Sequence, residues 1–171
     1  MKSSMKDLRQ QFELESNITT AVHLDYQVLR QVRSLRQQLN SIRERVRERP
    51  LVESITALDQ KLQGLEGNEE RGTFLSTPQG RSLARLNVGL TTLLAAVDSA
   101  DVSPTTQQLT TFNNVKNALD QQLANWDQIK RTDIPAMNLQ LRQSGLSMLN
   151  PESGAVIEQR WHSAEKAVGE D

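Results

Sequence analysis

The feature that most constrains this fold is a long stretch, from Asp7 to Arg49, that contains neither proline nor glycine. From Val22 onward its apolar residues recur every three or four positions, which places them along one stripe of an α-helix. A helix of this length spans roughly 65 Å, and its stripe must be covered by other parts of the chain. The predicted stripe consists of Leu8, Phe12, Ile18, Val22, Tyr26, Leu29, Val32, Leu35, Leu39, Ile42 and Val46.

A second, shorter helix is predicted to follow directly. Pro50 ends the first helix and opens the second, since proline is tolerated in the first turn, where its missing N–H needs no partner. Leucine and isoleucine then recur in alternating steps of four and three up to Leu65, and Gly64 and Gly67 are typical of a helix C-terminus. The polar loop after Gly67 carries Phe74 and Leu75, which we expect to pack against the bundle.

Two further helices are predicted from their N-terminal signals. Thr77-Pro78 begins the third and Ser103-Pro104 the fourth, because each pair supplies a capping hydroxyl and a first-turn proline. The apolar pattern of the fourth helix continues in phase beyond Pro135, which predicts a kink there, and Gly145 ends it. Trp126 lies on its apolar stripe, and we expect it in the core.

Together these elements predict an all-α fold. Short connections favour antiparallel neighbours, so we expect an up-down-up-down four-helix bundle over residues 1–149. The first and last helices are long, the middle two are short, and the last is kinked near Pro135. Residues 150–171 are predicted to be a linker and tail with enough apolar positions for one short helix. Trp161 is the residue through which this tail would dock on the bundle or on a partner.

Composition narrows the classes of function. The net charge of −1 gives no overall field to attract nucleic acid or acidic membranes. The absence of cysteine excludes disulfides and thiolate chemistry. No apolar run reaches the roughly 18 residues of a membrane span, and no apolar stretch of a signal peptide follows the first residues. We therefore expect either a cytoplasmic chain or a piece of a longer secreted protein.

The strongest charge feature is a series of arginines within residues 30–49. One interpretation is an anion or nucleic-acid surface. The preferred interpretation is a solvated helix surface partly paired with Glu44 and Glu48, because the arginines go round the helix and no aromatic residues lie between them for base stacking. The residues of this candidate interaction surface are Arg30, Arg33, Arg36, Arg43 and Arg47, together with Arg45 and Arg49 and, in the tail, Trp161.

No catalytic, cofactor or metal site is predicted. The only two histidines, His23 and His162, are far apart and lack the spacing of metal ligands. Glu13, Glu15 and Asp25 share one region of the first helix, but the two glutamates lie on different sides of it and make a poor acid–base pair. The chain contains neither a nucleophile elbow nor a phosphate-binding loop.

One family shares a pattern of caps, prolines and core positions with residues 5–149. The matching residues are Asp7-Leu8-Arg9-Gln10-Gln11-Phe12, Leu86-Asn87 with Leu93-Leu94, Ser103-Pro104-Thr105, Trp126, Asp133-Ile134-Pro135-Ala136-Met137-Asn138, Leu141 and Gly145-Leu146. The chain thereby resembles the C-terminal helical module of secreted sortilin-like, Asp-box (BNR-repeat) β-propeller proteins, often described as glycosyl-hydrolase-like.

The resemblance implies an extracytoplasmic helical bundle appended to a propeller. The catalytic machinery of that family belongs to the propeller, and this chain has no Ser-x-Asp-x-Gly-x-x-Trp motif, so no catalytic residue carries over. The chain also lacks the β-sandwich segment that usually precedes the bundle, which implies an excised domain or a stand-alone relative.

Three functional hypotheses follow. The first is a non-catalytic accessory bundle that packs against the propeller of its parent chain or another protein. The second is a homo-oligomeric coiled-coil scaffold in which the first helix pairs between chains. The third is a polyanion-binding helical protein that uses the arginines of residues 30–49, although nucleic acid is not an expected partner.

Overall fold

The structure, a computed structural model, describes residues 5–67, 81–99 and 103–154. These ranges contain helices, turns and loops and no β-strand, so the prediction of an all-α helical bundle is confirmed. The elements are α1 (Met5–Arg43), α2 (Arg49–Glu66), α3 (Leu83–Asp98), α4 (Thr106–Gln128), a π-helical turn (Ile129–Asp133), α5 (Ile134–Gln143) and a 3-10 turn (Pro151–Gly154). The predicted loop residues Phe74 and Leu75, the predicted helix start at Thr77-Pro78, and Trp161 and His162 lie outside the described residues.

The first helix ends at Arg43, and the prediction that it continues to Arg49 is wrong. Residues 44–48 instead connect α1 to α2, which begins at Arg49 with Pro50 in its first turn. Antiparallel helices need a loop of a few residues between them, and Pro50 favours a new helix start at this point. The two helices run back along each other, since Arg36 Nε lies 2.8 Å from Asp59 Oδ1.

Contacts within the chain divide it into two compact units. Unit 1 comprises Met1–Tyr26 and Glu66–Asn125, and unit 2 comprises Gln27–Leu65 and Trp126–Asp171. Helices α1 and α4 each contribute residues to both units. The up-down-up-down order remains a prediction.

Unit 1 has a core built from α1, α3 and α4. Ile18, Leu86, Leu90 and Val115 have no exposed surface in this core. Several residues predicted to be core are instead exposed: Leu8 by 48%, Phe12 by 70%, Tyr26 by 48% and Leu109 by 45%.

The reason for the error in α1 is the true course of its buried seam. The seam passes through Leu14, Ile18, Ala21, Asp25 and Val28, in steps of three and four. Asp25 is acidic and Ala21 is small, so neither was assigned to the apolar stripe. The prediction placed the stripe on their neighbours Val22 and Tyr26 instead. Leu8 and Phe12 continue that displaced stripe and lie away from the core.

The start of α4 also differs from the prediction that Ser103 is its cap. Thr105 is the cap: its Oγ1 accepts the backbone N–H of Gln108 over 3.1 Å, and Gln108 Oε1 accepts the N–H of Thr105 over 2.8 Å. This reciprocal pair is a capping box, which satisfies two N–H groups at once. Ser103 donates instead to the carboxylate of Asp7 on α1.

Unit 2 has a core built from the second half of α1, α2 and the chain from Trp126 onward. Leu39, Leu62 and Leu141 have no exposed surface, and Trp126 is 1% exposed, as its position in the pattern predicted. The helical path continues on both sides of Pro135, and a π-helical turn lies immediately before α5. The kink near Pro135 stays a prediction. Proline lacks the N–H of a regular α-helical bond, and the wider π turn precedes its ring.

Helix α5 ends as predicted at Gly145, which has a φ of +69°. The N–H of Leu146 bonds to the carbonyl of Leu141 over 2.8 Å, and the N–H of Gly145 bonds to the carbonyl of Arg142 over 3.1 Å. These two bonds form a Schellman motif, in which glycine is favoured because the left-handed backbone carries no Cβ penalty.

Candidate functional site

The most exposed apolar side chains of α1 lie together in its first turns. Met5 is 85% exposed, Leu8 48% and Phe12 70%. Their spacing of three and four residues places them on one side of the helix. We call Met5, Leu8 and Phe12 the α1 apolar patch; it belongs to unit 1.

Polar contacts hold this part of α1 in place. Gln11 donates through Nε2 to the carbonyl of Val97, at the end of α3, over 3.2 Å, and also to Glu15 over 2.9 Å. The Ser103–Asp7 hydrogen bond joins α1 to the chain leading into α4. The side chains of Asp7 and Gln11 therefore anchor the part of α1 that carries the patch.

Such a patch suits protein recognition better than chemistry. It contains no titratable or nucleophilic group, and apolar anchors at this helical spacing are the kind that insert into a groove of a partner. Burial of each large apolar side chain contributes roughly 1.5–3 kcal/mol to association, before entropy losses are counted. Apolar side chains that are exposed next to one another are typical of interaction sites when together they cover a few hundred Å².

A groove in unit 2 is the second candidate. It lies between α2 and the π turn with α5, and it encloses about 260 Å³. The ammonium of Lys61 lies 2.6 Å from Oδ1 of Asp133, the last residue of the π turn. Thr132, Gln140 and Met137 also line it.

This groove is close to the lower size limit of ligand pockets. Ligand pockets usually enclose roughly 300–1,000 Å³, and this groove is smaller and open on one side. Its two charges neutralise each other, and the pair contributes only about 0–1 kcal/mol because Lys61 is largely exposed. We interpret the π turn as the element that brings Asp133 against Lys61.

The arginines of the predicted interaction surface are distributed over three elements of unit 2. Arg30, Arg33, Arg36 and Arg43 lie on α1, Arg45 and Arg47 on the connection, and Arg49 at the start of α2. Arg36 is paired with Asp59 over 2.8 Å, and Arg49 with Glu53 over 3.1 Å. Arg30 and Arg33 are half-buried and interact with neighbouring groups. Arg43 and Arg47 are exposed.

Unit 1 contains a buried carboxyl group, that of Asp25, which the sequence pattern did not identify as buried. Asp25 has no exposed surface, and neither of its carboxylate oxygens makes a regular hydrogen bond with the described part of the chain. Burial raises its pKa to about 7, and the nearby Asn87 amide offsets part of that rise. Asp25 lies on the buried seam of α1 between Ala21 and Val28, and its acidic side chain concealed the phase of that seam in the sequence pattern.

The other titratable residues considered in the sequence are His23, Glu13 and Glu15, which lie on α1 within the described residues 5–67, 81–99 and 103–154. The side chains of His23 and Glu13 are exposed, and that of Glu15 is half-buried. Within these ranges no group of three or more His, Cys, Asp or Glu side chains is arranged to hold a metal ion. Among the same residues, no helix has the combination of length and apolarity that crossing a membrane requires.

Comparison of the chain with protein-family models, curated proteins and solved structures found no match.

Proposed function

We propose that this chain is a non-catalytic protein-interaction module that binds a partner through the α1 apolar patch. The observation that carries the proposal is the 70% exposure of Phe12 beside Met5 and Leu8 on an anchored helix. Exposing several apolar side chains of this size next to one another lowers solubility. Burying them in an interface with a partner removes this disadvantage.

The proposed partner is another protein domain with an apolar groove. The resemblance to the C-terminal module of Asp-box propeller proteins supports an extracytoplasmic setting in which the partner is the propeller of a parent chain. The matching stretch Asp7-Leu8-Arg9-Gln10-Gln11-Phe12 contains two of the three patch residues. This places the proposed interface on the part of the chain where the resemblance begins.

Site-specific photo-crosslinking tests the interface. A benzoyl-phenylalanine replaces Phe12 in the full chain, expressed in its native cell, and the control carries the same group at Asn17, an exposed position on another side of α1. We expect a discrete adduct at position 12 and none at position 17, and mass spectrometry then identifies the partner. Equal labelling at both positions, or no adduct at position 12, contradicts the proposal.

Self-association through the patch is the competing outcome. Sedimentation velocity over a wide concentration range separates the two. A monomer at all concentrations supports an accessory module. A dimer that dissociates in the Phe12→Asp variant makes the second copy the partner, and the chain is then a homo-oligomeric scaffold.

The non-catalytic part of the proposal has its own test. The purified chain is incubated with a panel of aryl glycosides and polysaccharides, and we expect no turnover. Reproducible hydrolysis that co-purifies with the chain overturns this part. A polyanion-binding role is less favoured, because Arg36 and Arg49 are paired with Asp59 and Glu53.

A further inference from the structure

The segment that follows α5 is held by side-chain amides in unit 2. Asn138 on α5 accepts the N–H of Leu149 through Oδ1 over 2.7 Å and donates through Nδ2 to the carbonyl of Leu149 over 3.1 Å. Gln38 on α1 does the same with Asn150, accepting its N–H and donating to its carbonyl, both over 2.9 Å. Two consecutive residues thus have both backbone polar groups satisfied by amides of the helices.

A third side-chain amide, that of Gln31, binds the carboxylate of Glu152 in the same segment. The indole of Trp126 can only donate, so its Nε1–H fixes Oε1 of Gln31 as the acceptor, over 3.2 Å. The amide Nε2 of Gln31 must then point away from the indole, and it donates to Oε2 of Glu152 over 2.9 Å. Because Gln31 is only 5% exposed, its orientation is set by the core.

Ser153 is recognised by the same stripe of α1. Its hydroxyl lies 2.8 Å from the hydroxyl of Ser34, and it accepts Nε2 of Gln38 over 2.7 Å. Gln31, Ser34 and Gln38 follow each other at steps of three and four, which places them on one side of α1. We call these three residues and Asn138 the amide groove.

The segment itself has a distinct shape and sequence. The side chain of Leu149 is 4% exposed, so it fills an apolar position. Oδ1 of Asn150 accepts the N–H of Glu152 over 2.9 Å, and Pro151 opens the 3-10 turn. The pattern that the groove accommodates is therefore Leu-Asn-Pro-Glu-Ser.

We propose that the amide groove is a peptide-binding site for segments of the Leu-Asn-Pro-acidic-Ser type, which enter a 3-10 turn at the proline, and that residues 149–153 are its intramolecular ligand. Bidentate amide-to-backbone pairs bind a peptide through its main chain, while the Leu149 position, Gln31 and Ser34 select its side chains. The external ligand is a segment of the same pattern on another protein. This binding site is separate from the α1 apolar patch and does not rest on the function proposed for it.

The tethered segment must be displaced before another can bind. A short tether gives an effective concentration in the millimolar range, so the wild-type chain resists an external peptide. Leu149→Asp in the full chain introduces a charge at the apolar position and releases the segment. A labelled peptide with the sequence of residues 146–154 is the probe.

Fluorescence anisotropy measures peptide binding to the full-length Leu149→Asp variant. We expect saturable binding that is about tenfold or more tighter than to the wild type, since the competing segment is released. Gln38→Ala in the same background weakens binding about tenfold by removing the Asn150 pair. Gln37→Ala, an exposed neighbour on α1, leaves it unchanged. A folded variant without saturable binding, or equal effects of the two alanine substitutions, overturns the proposal.

A measurement on the wild type keeps the proposal falsifiable if Leu149→Asp does not fold. Hydrogen exchange followed by NMR reports the opening of the Leu149 and Asn150 amides. We expect them to exchange through local opening, faster than the core amide of Leu39 and independently of low denaturant. Protection equal to that of Leu39 means that the segment is released only by global unfolding, and the proposal then fails.

Discussion

The indole N–H of Trp126 donates to Oε1 of Gln31 over 3.2 Å inside the core of unit 2, where the two side chains are 1% and 5% exposed. Gln31 lies on α1 and Trp126 at the end of α4, so one hydrogen bond joins two distant parts of the sequence. An N–H group that is buried without an acceptor loses its hydrogen bond to water and forms none in the protein, which lowers stability.

Gln31→Met is therefore expected to destabilise the protein by about 1–3 kcal/mol, because it keeps the size of the side chain but leaves the Trp126 N–H unpaired and also removes the bond to Glu152. Urea denaturation followed by circular dichroism measures the loss. Gln37→Met, on an exposed position of α1, is the control and should change the free energy of unfolding by less than about 0.5 kcal/mol. Equal effects of the two substitutions would show that the hydrogen bonds of Gln31 contribute nothing to the free energy of unfolding.

Much of the architecture was predictable because it rests on local signals. Pro50 marked the start of α2 and Gly145 the end of α5, and the spacing around Trp126 identified its buried side. The phase of the buried seam in α1 was not predictable in the same way. Asp25 interrupts the apolar pattern, and which side of a helix is buried depends on helices that are distant in sequence.

The candidate sites were harder to predict for two physical reasons. Phe12 has the spacing of a core residue, and only the packing of α3 and α4 determines that it is exposed. The amide groove consists of side-chain bonds to the backbone, which leave no periodic pattern in the sequence. Gln38 and Asn138 look like ordinary surface polar residues until the segment after α5 is placed against them.

The two candidate caps of α4 can be separated by experiment. Thr105→Ala removes the acceptor for the N–H of Gln108 and should cost about 1 kcal/mol. It should also speed hydrogen exchange of the Gln108 amide. Ser103→Ala removes a hydrogen bond to Asp7 and leaves that amide protected. Faster hydrogen exchange of the Gln108 amide in the Ser103→Ala variant would show that Ser103 is the cap of α4.

Two glycines near the end of α2 should respond in opposite directions to alanine. Gly67 has a φ of +68°, and a Cβ on it would overlap the side chain of Ser82, which is buried. Gly67→Ala should destabilise by about 1–2 kcal/mol for the left-handed backbone alone, with the clash in addition.

Gly64 provides the matched control for this pair. It lies within α2, and a Cβ there would meet no atom within 4 Å. Gly64→Ala should stabilise the protein by about 0.5–1 kcal/mol, since alanine loses less backbone entropy in a helix. Thermal denaturation of both variants measures the difference. Destabilisation by Gly64→Ala would mean that this end of α2 is not helical in solution.

Asp25 should make the stability of the protein depend on pH. Burial raises its pKa from the ordinary 3.8 to about 7 in the folded chain, so the folded state binds the proton more tightly than the unfolded state. The buried Asp25 carboxylate lowers the free energy of unfolding. This loss is absent below about pH 4, grows as the pH rises, and is complete above about pH 7. A shift of this size corresponds to a loss of roughly 4 kcal/mol between these limits.

Asp25→Asn removes the buried charge while keeping the shape of the side chain, so it should flatten this part of the pH profile and raise stability at pH 8 relative to the wild type. Urea denaturation at half-unit steps from pH 4 to pH 8 measures both proteins. Asp98→Asn makes the same charge change at an exposed position of unit 1 and should leave the slope intact. If the wild-type and Asp25→Asn profiles run parallel, the carboxyl group is not buried in its charged form, and the seam of α1 must accommodate Asp25 differently in solution.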